Sequence, residues 1–118
     1  MPEFDEILNG LVLELRRGSI VLSVLSQLER PEYGYSLVQL LEEKGMPVDA
    51  GTLYPLLRRL EKQGLLRSEW KTTGSKPRKY YLLTDDGERA YQTLSAIWRK
   101  MARNMEGLLI GGKKIGRE

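Results

Sequence analysis

The stretch Thr52-Leu53-Tyr54-Pro55-Leu56-Leu57-Arg58-Arg59-Leu60-Glu61-Lys62-Gln63-Gly64-Leu65-Leu66 carries helical periodicity and stops at a glycine. Successive side chains of a helix turn by about 100°. A helix beginning near Ala50 therefore gathers Leu53, Leu56, Leu57 and Leu60 on one face and Pro55, Arg58, Arg59 and Lys62 on the other. Such a helix buries leucines and turns arginines outward. Asp49 is placed to cap it, its carboxylate accepting a backbone N–H, and Gly64 is placed to end it. Pro55 would sit sixth in that helix, where its missing N–H leaves a carbonyl unpaired, so a distorted first turn or a later start is expected.

Downstream, Leu65 to Lys71 alternates, with Leu66, Ser68 and Trp70 on one side and Arg67, Glu69 and Lys71 on the other. Arg78 to Leu83 supplies a second strand across Thr72-Thr73-Gly74-Ser75-Lys76-Pro77, and Gly74 permits the turn. A β-hairpin with a basic tip results. Tyr80 and Tyr81 fall on opposite faces of it, one toward a core and one toward the surface, and Trp70 is expected to anchor it by packing. Upstream, Ile7, Leu8, Leu11, Val12 and Leu15, then Ile20, Val21, Val24, Leu25 and Leu28, keep helical spacing with a joint at Gly18-Ser19. Arg30 to Gly34 reads as a turn around Pro31, and Leu37, Val38, Leu40 and Leu41 form a short helix that stops at Gly45. Two short helices followed by a basic hairpin give the outline of a winged helix-turn-helix, a mainly α fold with a small β-hairpin wing.

Thr84 followed by Asp85-Asp86 opens a last helix, which runs to about Leu109 before Gly111-Gly112-Lys113-Lys114. On it Tyr91, Leu94, Trp98, Met101, Met105 and Leu108 are spaced 3, 4, 3, 4, 3, the rhythm of helices that pair around one another. A domain this small cannot cover so long a seam, so a homodimer is expected. The organisation is then a winged helix-turn-helix domain with its N-terminal helix at residues 1–84, a dimerisation helix at 85–110, and a disordered basic tail at 111–118.

Composition narrows the function. With no histidine and no cysteine the chain has no imidazole base, thiol nucleophile, disulfide framework or Cys/His zinc site. No catalytic residue, metal or cofactor is assigned, and the chain is not read as an enzyme. The acidic start, Met1-Pro2-Glu3-Phe4-Asp5-Glu6, lacks the features of a signal peptide, and no apolar run is long enough to span a bilayer, so a cytoplasmic protein without membrane contact is expected. Net charge is only +3, yet Arg58 through Lys79 holds eight basic residues against two acidic ones, which is +6 and leaves −3 elsewhere. Charge so segregated is a directed positive surface of the kind that meets nucleic acid.

The combination Tyr33-Gly34-Tyr35-Ser36-Leu37, Gly51-Thr52-Leu53-Tyr54-Pro55-Leu56-Leu57-Arg58-Arg59-Leu60-Glu61, Gly64-Leu65-Leu66, and Pro77-Arg78-Lys79-Tyr80-Tyr81-Leu82-Leu83-Thr84 with Gly87 resembles the PadR family of bacterial transcriptional regulators. The resemblance runs from roughly Arg17 to Trp98. It implies a winged helix-turn-helix dimer that represses transcription and is released by a small molecule or a changed signal. A single C-terminal helix looks like the family's shorter branch. The chain departs at Lys76, where many relatives carry arginine, and in its N-terminal helix, which cannot be matched residue by residue.

On this reading duplex DNA is the partner. Arg58 and Arg59 are candidates for base edges, since arginine bonds both acceptors of guanine, with Thr52, Tyr54 and Lys62 beside them. Lys71, Lys76, Arg78 and Lys79 of the wing would straddle phosphates or enter the minor groove. Tyr35 and Ser36 begin the preceding helix, where they could hold a phosphate, and packing under the recognition helix is an equal role for Tyr35. The resemblance to multidrug-sensing relatives implies that Trp98 sandwiches a small planar aromatic effector at the seam, with Leu8, Leu11 and Val12 lining the site and Asp5 or Glu6 favouring cations. The alternative is a winged-helix module used for protein interaction without specific DNA binding.

Overall fold

The computed structural model describes residues 3–72 and 74–114, with side chains as far as Ile110. The order is α1 (Phe4–Arg17), α2 (Ile20–Ser26), β1 (Glu32–Tyr33), α3 (Gly34–Glu43), α4 (Ala50–Lys62), β2 (Leu66–Lys71), β3 (Arg78–Leu83) and α5 (Asp85–Lys114). The strands form one antiparallel sheet in the order β1-β3-β2, with Tyr33 opposite Tyr80 and Ser68 opposite Tyr81.

The core is built on one apolar stripe from each of the α2, α3 and α4 segments. Val24, Leu25 and Leu28 meet Leu37 and Leu41 of α3 and Leu53, Leu57 and Leu60 of α4, and Leu66 and Tyr81 close the sheet side. α3 and α4 end in the same way. The N–H of Met46 reaches the carbonyl of Leu41 at 2.9 Å and that of Leu65 reaches Leu60 at 3.0 Å, each across a glycine at positive φ, Gly45 at 82° and Gly64 at 83°. That wrap places the glycine in left-handed backbone, where a Cβ is unfavourable, and so fixes where the chain leaves each helix.

Several expectations are corrected in detail. Asp49 is the N-cap of α4, but its carboxylate makes no capping bond, and its carbonyl instead accepts from the N–H of Thr52 and Leu53 at 3.1 and 2.9 Å. α4 starts at Ala50 and runs unbroken through Pro55, which is exposed, so water can satisfy the carbonyl that the ring leaves unpaired. The turn around Pro31 contains a two-residue strand, β1, too short for periodicity to show. Trp70 does not anchor the wing by packing; it is 63 % exposed, because β2 runs outward from buried Leu66 and leaves the core before reaching it. α5 extends to Lys114 through Gly111-Gly112, past the expected end near Leu109, since a glycine costs a helix only about 1 kcal/mol. The remainder of the tail, 115–118, lies outside the described residues.

α5 is locked to the wing at its first turn. The Thr84 hydroxyl accepts from the N–H of Gly87 at 3.0 Å and donates to the carbonyl of Gly64 at 2.6 Å, while the Thr84 N–H reaches the Leu65 carbonyl at 3.1 Å. Beyond that lock Tyr91 and Leu94 pack on the core and the helix then projects. The radius of gyration is 18.1 Å, against about 13.5 Å for a compact chain of this length. The projection leaves Trp98, Met101, Met105 and Leu108 exposed. α1 buries none of its residues, and Phe4, Leu8, Leu11 and Leu15 are likewise exposed.

Candidate nucleic-acid interface

The candidate interface is built from α4, the N-terminus of α3 and the wing. Burial of Leu53, Leu57 and Leu60 turns Arg58, Arg59 and Lys62 to solvent, and Thr52 at the other end of α4 is exposed as well. None of the ion pairs among the described residues involves Arg58, Arg59 or Lys62. Their N–H groups therefore remain available to an external acceptor.

Tyr54 has a second task. Its half-buried ring lies over Gly34, where a Cβ would come within 2.4 Å of the ring carbon Cε1. The glycine of Tyr33-Gly34-Tyr35 lets α3 and α4 approach this closely, which places the start of α3 beside α4. Tyr35 is 66 % exposed and its hydroxyl accepts from Gln39 Nε2 at 3.1 Å, so it does not pack under α4. Ser36 is half-buried in the same first turn.

On the wing, Gly74 takes φ 104° at the turn, and Lys71, Lys76 and Arg78 are exposed. Lys79 is engaged differently. Its Nζ lies 3.6 Å from Glu61 Oε1 and 5.3 Å from the centre of the Tyr81 ring, tying the hairpin to the end of α4, and Ser68 donates to the other Glu61 oxygen at 2.6 Å. Lys79 thus fixes the angle between wing and helix, and its charge is partly matched within the protein. The sequence question over the two tyrosines resolves as Tyr81 buried and Tyr80 half-buried. Tyr80 donates to Glu69 Oε1 at 2.9 Å; this bond, with lesser help from desolvation and the Glu69 charge, holds the phenol pKa above its usual 10.0.

Tyr33 belongs to the motif that carries the family resemblance but has no role in the sequence reading. It stands edge-on to Tyr80 with ring centres 6.1 Å apart, and the Arg78 guanidinium lies 5.5 Å from its ring centre. The signal was present in the Tyr-Gly-Tyr triplet, but without β1 nothing connected it to the wing.

The residues expected to line an effector site are not gathered together in the chain. Trp98 lines a cleft of 270 Å³ with Leu22, Ser26 and Tyr91, whereas Leu8 and Leu11 are exposed and Val12 half-buried on α1. A larger cleft of 790 Å³ lies between the α1–α2 joint and the α3–α4 loop, walled by Leu13, Ile20, Val38 and Val48 with Arg16 and Glu42 among its polar lining. Sequence reasoning did not find it, because its walls come from segments with no common motif. Among the described residues no helix is long and apolar enough to cross a membrane, and no His/Cys/Asp/Glu cluster could hold a metal ion.

Comparison with known proteins agrees with this architecture. The family model described as "Transcriptional regulator PadR-like family" matches residues 21–93. The chain is similar to the transcriptional regulator Rv3488 of Mycobacterium tuberculosis, with 35 % identity over 95 residues, 80 % of this chain and 89 % of that protein. Among solved structures it is similar to a PadR family transcriptional regulator from Eggerthella lenta, at 54 % identity and TM-score 0.84, covering 90 % of this chain and 95 % of that one. A PadR-like transcription factor from Bacteroides fragilis is 35 % identical with TM-score 0.69, covering 84 % and 98 %. The family and these relatives are transcriptional regulators, not enzymes.

Proposed function

The chain belongs to the PadR-like family of transcriptional regulators, and from that premise we propose that it is a cytoplasmic repressor that binds duplex DNA as a homodimer on an inverted repeat. The observation that carries this reading is the exposed, unpaired arginine face of α4 above a leucine core. A helix so oriented offers Arg58 and Arg59 to base edges in the major groove, with Thr52 and Lys62 toward the flanking phosphates. Tyr35, Ser36, Lys71, Lys76 and Arg78 hold the backbone on either side, and Lys79 sets the wing's inclination.

Residues 1–84 act as the DNA-binding unit and residues 85–110 as the dimerisation helix. Trp98, Met101, Met105 and Leu108 are exposed at heptad spacing on α5, and Phe4, Leu8, Leu11 and Leu15 are exposed on α1. Full burial of one such side chain contributes roughly 1.5–3 kcal/mol, so a two-fold partner that covers them gains substantially. Pairing along α5 sets the separation of the two α4 helices at about one turn of DNA. A planar aromatic effector received at the seam by Trp98 with Leu8, Leu11 and Val12 would change that separation and release the operator. Asp5 and Glu6 on α1 favour a cationic one.

Selection from a pool of random duplexes at about physiological salt tests the reading, because specific sites outcompete non-specific ones by roughly a thousandfold or more. Enrichment of one inverted repeat, lost with Arg58→Ala and Arg59→Ala, is the expected result. No enrichment by the wild-type protein would instead make this a protein-interaction module.

A further inference from the structure

α1 presents two distinct faces. Successive side chains turn by about 100°, so Phe4, Leu8, Leu11 and Leu15 share one face while Leu13, Arg16 and Arg17 share the roughly opposite one. The second face forms one wall of the 790 Å³ cleft between the α1–α2 joint and the α3–α4 loop. A protomer seated on the apolar stripe of the first face does not cover that wall.

The cleft combines apolar surface with charges of both signs. Ile20, Val38, Val48 and the 63 % exposed Leu13 supply the apolar surface. Arg16 and Arg17 stand on the α1 side, and Glu42 and Asp49 stand on the side of α3 and the start of α4. All four are exposed, and none belongs to an ion pair among the described residues. The Asp49 carboxylate makes no capping bond either. Two cations and two carboxylates thus border one apolar cleft without closing on one another.

Size and charge together select the ligand. Clefts of roughly 300–1,000 Å³ with mostly apolar walls and a few polar groups suit small molecules. A simple anion would meet Glu42 and Asp49, and a simple cation would meet Arg16 and Arg17, so either leaves like charges facing each other. A molecule with an ammonium at one end and a carboxylate at the other satisfies both sides. A free amino acid carries both charges on a single carbon, whereas a short peptide separates them by an apolar body.

We propose that this cleft binds a short apolar peptide with free ends, its carboxylate on Arg16 and Arg17 and its ammonium on Glu42 and Asp49. The planar guanidinium fork pairs with both oxygens of a carboxylate. Thr52, at the start of α4, borders the same cleft. On the DNA-binding reading, on which this link rests, Thr52 also faces a phosphate, so peptide and DNA weaken each other's binding by the same factor.

Trileucine titrated calorimetrically into the whole chain without DNA should bind at one site per protomer. N-acetyl-trileucine and trileucine amide should each bind about tenfold more weakly, because each loses one set of charge-assisted bonds. Leucine should bind more weakly still. Glu42→Gln combined with Asp49→Asn should erase the preference for free over acetylated peptide, and Arg16→Gln combined with Arg17→Gln the preference for free over amidated peptide. Absence of trileucine binding, equal affinity for free and blocked peptides, or preferences unchanged in both variants overturns the proposal. Saturating trileucine should lower affinity for the selected duplex, and an unchanged affinity overturns the link through Thr52. A protein that binds trileucine but no duplex overturns the DNA-binding reading alone.

Discussion

Replacing Gly87 by alanine should destabilise the protein, although glycine to alanine inside a helix ordinarily stabilises by up to about 1 kcal/mol. A Cβ on Gly87 would stand 2.0 Å from the carbonyl oxygen of Leu65, 3.0 Å from its carbon and 3.2 Å from Leu83 Cδ2. The obstruction is backbone, and that backbone is held on both sides: the Leu65 N–H bonds Leu60, and its carbonyl accepts from Thr84. Clearing the contact requires the first turn of α5 to retreat by about 1 Å, since real Cβ atoms essentially never approach closer than 3.0 Å. The retreat stretches the Thr84 N–H bond to Leu65 and the Thr84 hydroxyl bond to Gly64, each worth about 1 kcal/mol, and overpacking adds about 1–3 kcal/mol. After the helix-propensity gain the net loss is about 2–4 kcal/mol, a fall in Tm of roughly 8–16 °C for a domain of this size. Thermal unfolding followed by far-ultraviolet circular dichroism, at equal protein concentration so that any self-association contributes equally, reads this directly. Gly10→Ala on α1, with nothing within 4 Å of the new Cβ, is the control and should be neutral or slightly stabilising. A Gly87→Ala protein that melts at or above the wild-type temperature would refute the reasoning.

Thr84→Ala should cost about 1–2 kcal/mol in urea unfolding through loss of the cap, and Thr84→Ser should recover most of it. Met105→Glu should shift sedimentation from dimer toward monomer, because a carboxylate would have to be buried at the seam; an unchanged dimer would place the interface elsewhere. Tyr80 should titrate above pH 10, and Glu69→Gln should lower its pKa toward the ordinary value in an ultraviolet titration of the six tyrosines. The sign follows from the raised phenol pKa: stability from this hydrogen bond is present below pH 10 and is lost as pH rises through the folded-state pKa.

The sequence alone determined what rests on local periodicity and backbone chemistry. The leucine stripe of α4, the glycine stops at Gly45 and Gly64, the Thr84 cap, the hairpin and the long last helix all follow from interactions between residues a few positions apart, which spacing records directly. The segregation of charge from Arg58 to Lys79 was likewise readable by position along the chain. Tertiary structure decided what depends on distant segments meeting. Only the approach of α3 to α4 shows why residue 34 is glycine beneath Tyr54, and only the approach of α5 to Leu65 shows why residue 87 is. Pairing of Tyr33 with Tyr80 turned an apparent loop into a third strand. The Glu61 pairing turned Lys79 from a free cation into a brace, and the outward run of β2 turned Trp70 from an expected packing residue into exposed surface. Alternation tells which face a side chain occupies, but whether that face meets protein or water depends on where the strand ends relative to the core, which no local pattern encodes.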